Sequence, residues 1–142
     1  MGKDHAKRKP VGIILRILVG TAMALMLAGC GLETKTLPEF YGKDLDEVSK
    51  IVIWDGSTGY KKKITDKAMI DKFLNTINEI KFIPEENQEK RVGWRYSINL
   101  YEKDKRTLQF TLNEVDGHYY YTEPDIHPIV DEFYKNLDVK EE

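Results

Sequence analysis

Residues 92–101 read Val92-Gly93-Trp94-Arg95-Tyr96-Ser97-Ile98-Asn99-Leu100-Tyr101. From Val92 to Leu100 every even position is apolar or aromatic, while Arg95, Ser97 and Asn99 stand at odd ones. A period of two predicts a strand with one face on a core and the other toward solvent. The pattern resumes after the turn-like Lys103-Asp104-Lys105, where Leu108, Phe110 and Leu112 alternate with Thr107, Gln109 and Thr111. Asn113 to Gly117 reads as a second turn, because Asp-Gly suits a tight hairpin. The tyrosine-rich run His118 to Thr122 then supplies a third strand, completing an antiparallel meander.

The flanks extend this unit. Lys50 to Trp54 is β-branched and aromatic, Asp55 to Gly59 is a turn cluster, and Tyr60 to Ile64 interleaves with lysines, which together predict a hairpin. The Asp55–Gly59 segment lacks the lysine of a phosphate loop and the acids of a calcium loop. Thr65 and Asp66 are good helix N-caps. Behind them Ile70, Phe73, Leu74 and Ile77 form one apolar stripe, with Ile80 a turn further on. Pro84 ends that helix, and residues 84–90 read as a polar loop. Glu123-Pro124-Asp125 starts a last helix with Ile126, Ile129, Val130, Phe133, Tyr134 and Leu137 on its apolar side. The expected fold is α+β in the order ββαβββα. It is a two-layer domain over residues 48–138, a twisted antiparallel sheet of about five strands with two helices on one face. Residues 139–142 read as a disordered tail.

The amino terminus follows different rules. Lys3, Lys7, Arg8, Lys9 and Arg16 precede an apolar run from Ile17 to Leu27, which ends in Leu27-Ala28-Gly29-Cys30. A basic start, a short apolar middle and small residues at its end make a secretory signal peptide, residues 1–29. The alternative is an uncleaved membrane helix over Val11 to Gly29. It is interrupted by Arg16, which costs about 2.5 kcal/mol or more near mid-bilayer. Leu-Ala-Gly-Cys resembles the lipobox of bacterial lipoproteins. That resemblance implies a diacylglyceryl group on the Cys30 sulfur, cleavage between Gly29 and Cys30, and a cell-membrane location on the extracytoplasmic face. Residues 30–47 then read as the lipidated cysteine and a tether, whose 15 or so flexible residues would reach roughly 20 Å. Gly31 after the cysteine shows no acidic retention signal, and a single-membrane host is preferred.

The chain has 142 residues with a formal net charge of −2 and one cysteine, which excludes an internal disulfide. Removing residues 1–29 takes away five basic side chains and one acid. The remaining 113 residues hold 17 Lys and Arg against 23 Asp and Glu, a net charge of −6. An acidic chain of this kind argues against a nucleic-acid partner. His118 and His127, with Asp116, Glu123 or Asp125, lack the spacing of a metal site, and none is expected. Asp55, Glu102 and Glu114 read as solvated turn or strand-end acids rather than a catalytic pair. No enzyme and no cofactor is expected beyond the lipid.

The open sheet face is the candidate site. Arg95, Ser97, Asn99 and Tyr101, with Gln109, Tyr119 and Tyr121, offer arginine, tyrosine and amide groups suited to a protein or an envelope polymer. The alternative is a solvated face rich in tyrosine and threonine for strand propensity alone. Trp54 is a second exposed-aromatic candidate, with core packing preferred. The expected function is a non-enzymatic binding module of the cell envelope. The competing reading is an inhibitor or immunity lipoprotein acting on an exported hydrolase or toxin. The lipobox, the Gly93-Trp94-Arg95-Tyr96-Ser97-Ile98 strand and the Tyr119 to Ile129 ending resemble the small YhfM-like lipoproteins of Firmicutes. That resemblance implies compartment and size, with no activity.

Overall fold

The computed structural model describes residues 31–142 together with Gly12 and Arg16. The lipobox and the rest of the signal segment therefore lie outside the described residues. Two compact units are distinguished, Met1–Leu32 and Glu33–Glu142, and the second contains the fold.

Seven antiparallel strands make one sheet. They are β1 Lys50–Asp55, β2 Lys61–Ile64, β3 Lys81–Pro84, β4 Tyr96–Glu102, β5 Lys105–Thr111, β6 Glu114–Val115 and β7 His118–Glu123. Their spatial order is β2-β1-β4-β5-β6-β7-β3. Among the described residues three α-helices accompany them: α1 Leu37–Tyr41, α2 Lys67–Ile77 and α3 Ile126–Asn136. The fold is α+β, but the expectation of five strands and two helices is corrected to seven and three. The extra elements are short. β6 has two residues and β3 has four, too few to show an alternating pattern. Pro84 is tolerated because β3 is at the sheet edge, bonded to β7 and to a single bridge at Lys35.

The stretch that decides the fold forms a shorter strand than its alternation predicts. β1 ends at Asp55, opposite Tyr96, and a single further backbone bond, from the Gly56 N–H to the Arg95 carbonyl at 2.7 Å, is the last tie before the chain leaves that ladder. Gly93 turns the chain at φ 90°, and Val92 is 99% exposed. From Tyr96 onward the pattern reaches the core, with Tyr96, Ile98 and Leu100 fully buried.

The helices cover one face. Asp66 accepts from the Met69 N–H to cap α2, and Asp125 accepts from His127 to cap α3. Their stripes bury Ile70, Phe73, Leu74 and Ile77, and Ile126, Val130 and Tyr134. The two helices touch through Phe73 and Phe133, with ring centroids 4.5 Å apart.

Part of the segment expected to be a tether is folded. Thr36 precedes α1, Glu39 reaches back to the Thr36 N–H at 2.7 Å, and Gly42 closes the helix at φ 75°. A five-residue helix has no stability alone. Burial of Leu37 and edge-to-face packing of Phe40 on Phe82 and Tyr120 hold it. The expected tail is also paired. Lys61 and Glu142 exchange both backbone hydrogen bonds, which covers the free edge of β2. The described core cluster runs from Leu37 to Leu137, so residues 33–142 hold a complete hydrophobic core.

Two phenols, the buried Tyr134 and the half-buried Tyr41, give this packing a pH signature. Tyr41 donates to Glu102 at 2.7 Å, and Tyr134 donates to Glu141 at 3.1 Å. Burial first, opposed at Tyr41 by the Thr107 hydrogen bond, and then the nearby carboxylates push both up to about 12 from 10.0. A raised folded-state pKa stabilises the neutral phenol. That contribution is intact below pH 10.0 and is lost as pH rises through about 12. Burial also raises Tyr96 and Tyr120, so spectrophotometric titration should show these four phenolates forming late, together with unfolding. Ionisation of every tyrosine near 10 in the folded protein would refute it.

Candidate binding face

The sheet face away from the helices is built by register. Three rows of side chains cross β2, β1, β4 and β5. Lys61, Trp54, Ser97 and Thr111 form one row, and Lys63, Val52, Asn99 and Gln109 the next. Lys50, Tyr101 and Arg106 form the third. Opposed residues in an antiparallel ladder share a face; the β4–β5 register shifts between Leu100 and Tyr101, and the bond from Arg106 to Asn99 is what places Arg106 with the other ten side chains. Hydrogen bonds agree with that placement. Gln109 Nε2 donates to Ser97 Oγ at 3.3 Å, and Arg106 donates to Asn99 Oδ1 at 3.4 Å. The Lys61 ammonium lies 4.9 Å from the Trp54 ring centroid and Lys50 lies 4.3 Å from that of Tyr101.

The face thus brings together four of the predicted residues, Ser97, Asn99, Tyr101 and Gln109. Ser97 and Asn99 are recessed, at 1% and 3% exposure, and form its polar floor. The taller groups around them were not anticipated: Lys50, Lys61, Lys63 and Arg106, with Trp54 37% exposed rather than in the core. The missed signal was parity. Once Asp55–Gly59 is a hairpin turn, Lys61 and Lys63 must share the face of Trp54 and Val52, and Lys62 must point inward.

The other three predicted residues lie elsewhere. Arg95 forms an ion pair with Asp55, donates to Ser57 Oγ at 2.8 Å and reaches Asp131 at 3.5 Å. Tyr96 donates to the same Asp131 at 2.7 Å. This network joins the start of β4 to the β1–β2 turn and α3. Burial alone would raise the Asp55 pKa, but the Ser57 donors and Arg95 outweigh it and hold the carboxyl low. Asp131 is held low by Lys135 and then Tyr96. Tyr119 is 5% exposed beneath the 85–91 loop, where its hydroxyl accepts from the Arg91 N–H at 2.8 Å. Tyr121 is 48% exposed and, with Trp94, borders a separate groove of about 540 Å³.

The considered acids and histidines have plain surroundings. Glu102 accepts from Tyr41 and pairs with Lys43 at 2.6 Å. Glu114 is half-buried on β6, and His118 and His127 are exposed. Among the described residues no cluster of three or more histidine, cysteine or acidic side chains is placed to hold a metal ion. Among them, too, no helix is long and apolar enough to cross a membrane. Compared with known proteins, the chain has no match among family models, curated sequences or solved structures.

Proposed function

We propose that the chain is a lipid-anchored, extracytoplasmic binding module of the bacterial cell envelope, held by Cys30 and contacting its partner through the outer face of β2, β1, β4 and β5. The face supports the binding reading. It presents cations, aromatics and amides on four adjacent strands, and the outward positions of those strands include no carboxylate. The Leu27-Ala28-Gly29-Cys30 motif supports the anchor. Two acyl chains at about 0.8 kcal/mol per buried CH₂ give stable attachment.

Two measurements test this. Cys30→Ser should abolish acyl labelling and release or mislocalise the protein. A variant that stays membrane-bound and unprocessed as before would make Val11 to Gly29 a membrane helix. For the face, residues 31–142 should co-sediment with purified cell-wall sacculi, and Trp54→Ala with Tyr101→Ala should weaken this several-fold. Absence of binding to wall or membrane fractions would overturn the binding role.

A further inference from the structure

The four cations on the outer face are not scattered. Lys61 and Lys63 are two residues apart on β2, about 7 Å along the strand. Lys63 is opposite Val52, so Lys50 is its diagonal neighbour on β1, about 7–8 Å away. Lys50 is opposite Tyr101, which is opposite Arg106, two strand spacings or about 10 Å further on. The path Lys61–Lys63–Lys50–Arg106 therefore steps across the sheet with gaps of about 7–10 Å between backbone positions. It lies on a domain whose residues 33–142 have 23 acids against 17 bases, so the concentration of positive charge is local. Beside the path are donors of modest strength: the Asn99 and Gln109 amides and the Tyr101 hydroxyl.

An anion already occupies one end of this path. Glu142, pinned to β2 by its backbone, places its carboxylate 3.8 Å from Lys61 and 3.9 Å from Lys63. That is a loose contact with two lysines at once, which a better-matched anion can displace.

We propose that this face binds a phosphodiester polymer of the cell envelope and that Glu142 is a built-in competitor for its Lys61–Lys63 end. The proposal rests on the binding-module reading and names its ligand class. Spaced point charges favour a repeating anion over a single one, because each gap must be matched by another charge. Three of the four cations are lysines, compact ammonium groups that meet phosphate oxygens as point charges, without the planar fork by which arginine reads carboxylate or phosphate. The outer space, rather than the bilayer, is the better source. Lys35, five residues after the proposed anchor, is bonded to β3 at the far edge of the sheet from β2. Six strand spacings, about 29 Å along the sheet, separate that edge from the lysines.

The test uses residues 31–142, with poly(glycerol phosphate), neutral dextran and phosphatidylglycerol vesicles as probes. Binding to poly(glycerol phosphate) should weaken steeply with salt, as counterion release requires. The double substitution Lys61→Glu/Lys63→Glu should reduce affinity at least tenfold, with unchanged circular dichroism. Lys50→Gln/Arg106→Gln, a milder pair, should reduce it several-fold and flatten the salt dependence. Lys72→Glu, on α2, should have no effect. Glu142→Gln should tighten binding two- to threefold, and an unchanged or weakened affinity would remove the competitor. Vesicles bound more tightly than the polymer would overturn the proposal in favour of a membrane surface. Undiminished binding to sacculi stripped of phosphate polymer would overturn it while leaving the binding module intact. Loss of all envelope binding would overturn both.

Discussion

Replacing Phe82 with alanine should destabilise the domain by about 3–5 kcal/mol, the usual cost of emptying a buried phenylalanine site. Phe82 is fully buried on β3. Its ring meets Phe40 at 5.6 Å, Phe110 at 6.2 Å and Tyr120 at 6.4 Å between centroids, each near-perpendicular. The same residue exchanges backbone hydrogen bonds with Lys35. It therefore joins three things: the edge strand, the central sheet and the α1 segment. Small domains have only about 5–15 kcal/mol in total, so the variant should be near its unfolding threshold. Urea denaturation measures the loss. Limited proteolysis should also show faster cleavage within residues 33–47, because α1 has no other large aromatic anchor than Phe82 and Tyr120. A loss below about 1 kcal/mol would mean the site collapses to fill itself, and that Phe82 is not the joint described.

Lys62→Ala should cost about 2–4 kcal/mol, whereas Lys63→Ala, one residue on, should change stability by less than about 0.5 kcal/mol. The two lysines differ only in which way the strand points them. Lys62 is 8% exposed on the helix side. Its ammonium donates to the Tyr134 and Leu137 carbonyls, both at 2.8 Å, and lies 4.8 Å from the Tyr134 ring centroid. These carbonyls are at the C-terminal end of α3, where backbone acceptors lack intrahelical partners and the helix dipole is negative. Alanine would leave the Tyr134 carbonyl without this donor and the Leu137 carbonyl with only the Val139 N–H, at 2.9 Å. Thermal unfolding of the two variants, compared at equal pH, reads the difference. Equal melting temperatures would refute the clamp.

The β-branched run Ile51–Ile53 and the alternation in Ile98–Leu100 and Leu108–Phe110 were legible because they are properties of consecutive residues. So were the α2 and α3 stripes and the Asp66 and Asp125 caps, which depend on residues within one helical turn. The same reasoning extended β4 back to Val92, since parity there is unbroken. It failed because strand length depends on a neighbour, and β1 stops opposite Tyr96. β3 and β6 escaped notice for the converse reason: each is defined by its partner strand and hardly at all by its own composition. α1 shows Thr36, Pro38 and Glu39 in helix-starting order, yet its docking rests on Phe82 and Tyr120, distant in sequence.

The candidate face divides in the same way. Ser97, Asn99, Tyr101 and Gln109 could be grouped from sequence, since they alternate on two strands joined by one turn. Arg95 could not be separated from them, because its diversion to Asp55 and Asp131 depends on α3 approaching the start of β4. By itself the sequence determined the strand and helix periods, the caps, the turns and the net acidity of residues 33–142, all set by short-range geometry and counting. Tertiary structure alone decided where each ladder ends. It also decided that cations from β2, β1 and β5 form one path across the sheet. Those outcomes depend on register between strands up to about 50 residues apart, and hydrogen-bond pairing sets register only when both partners are in place.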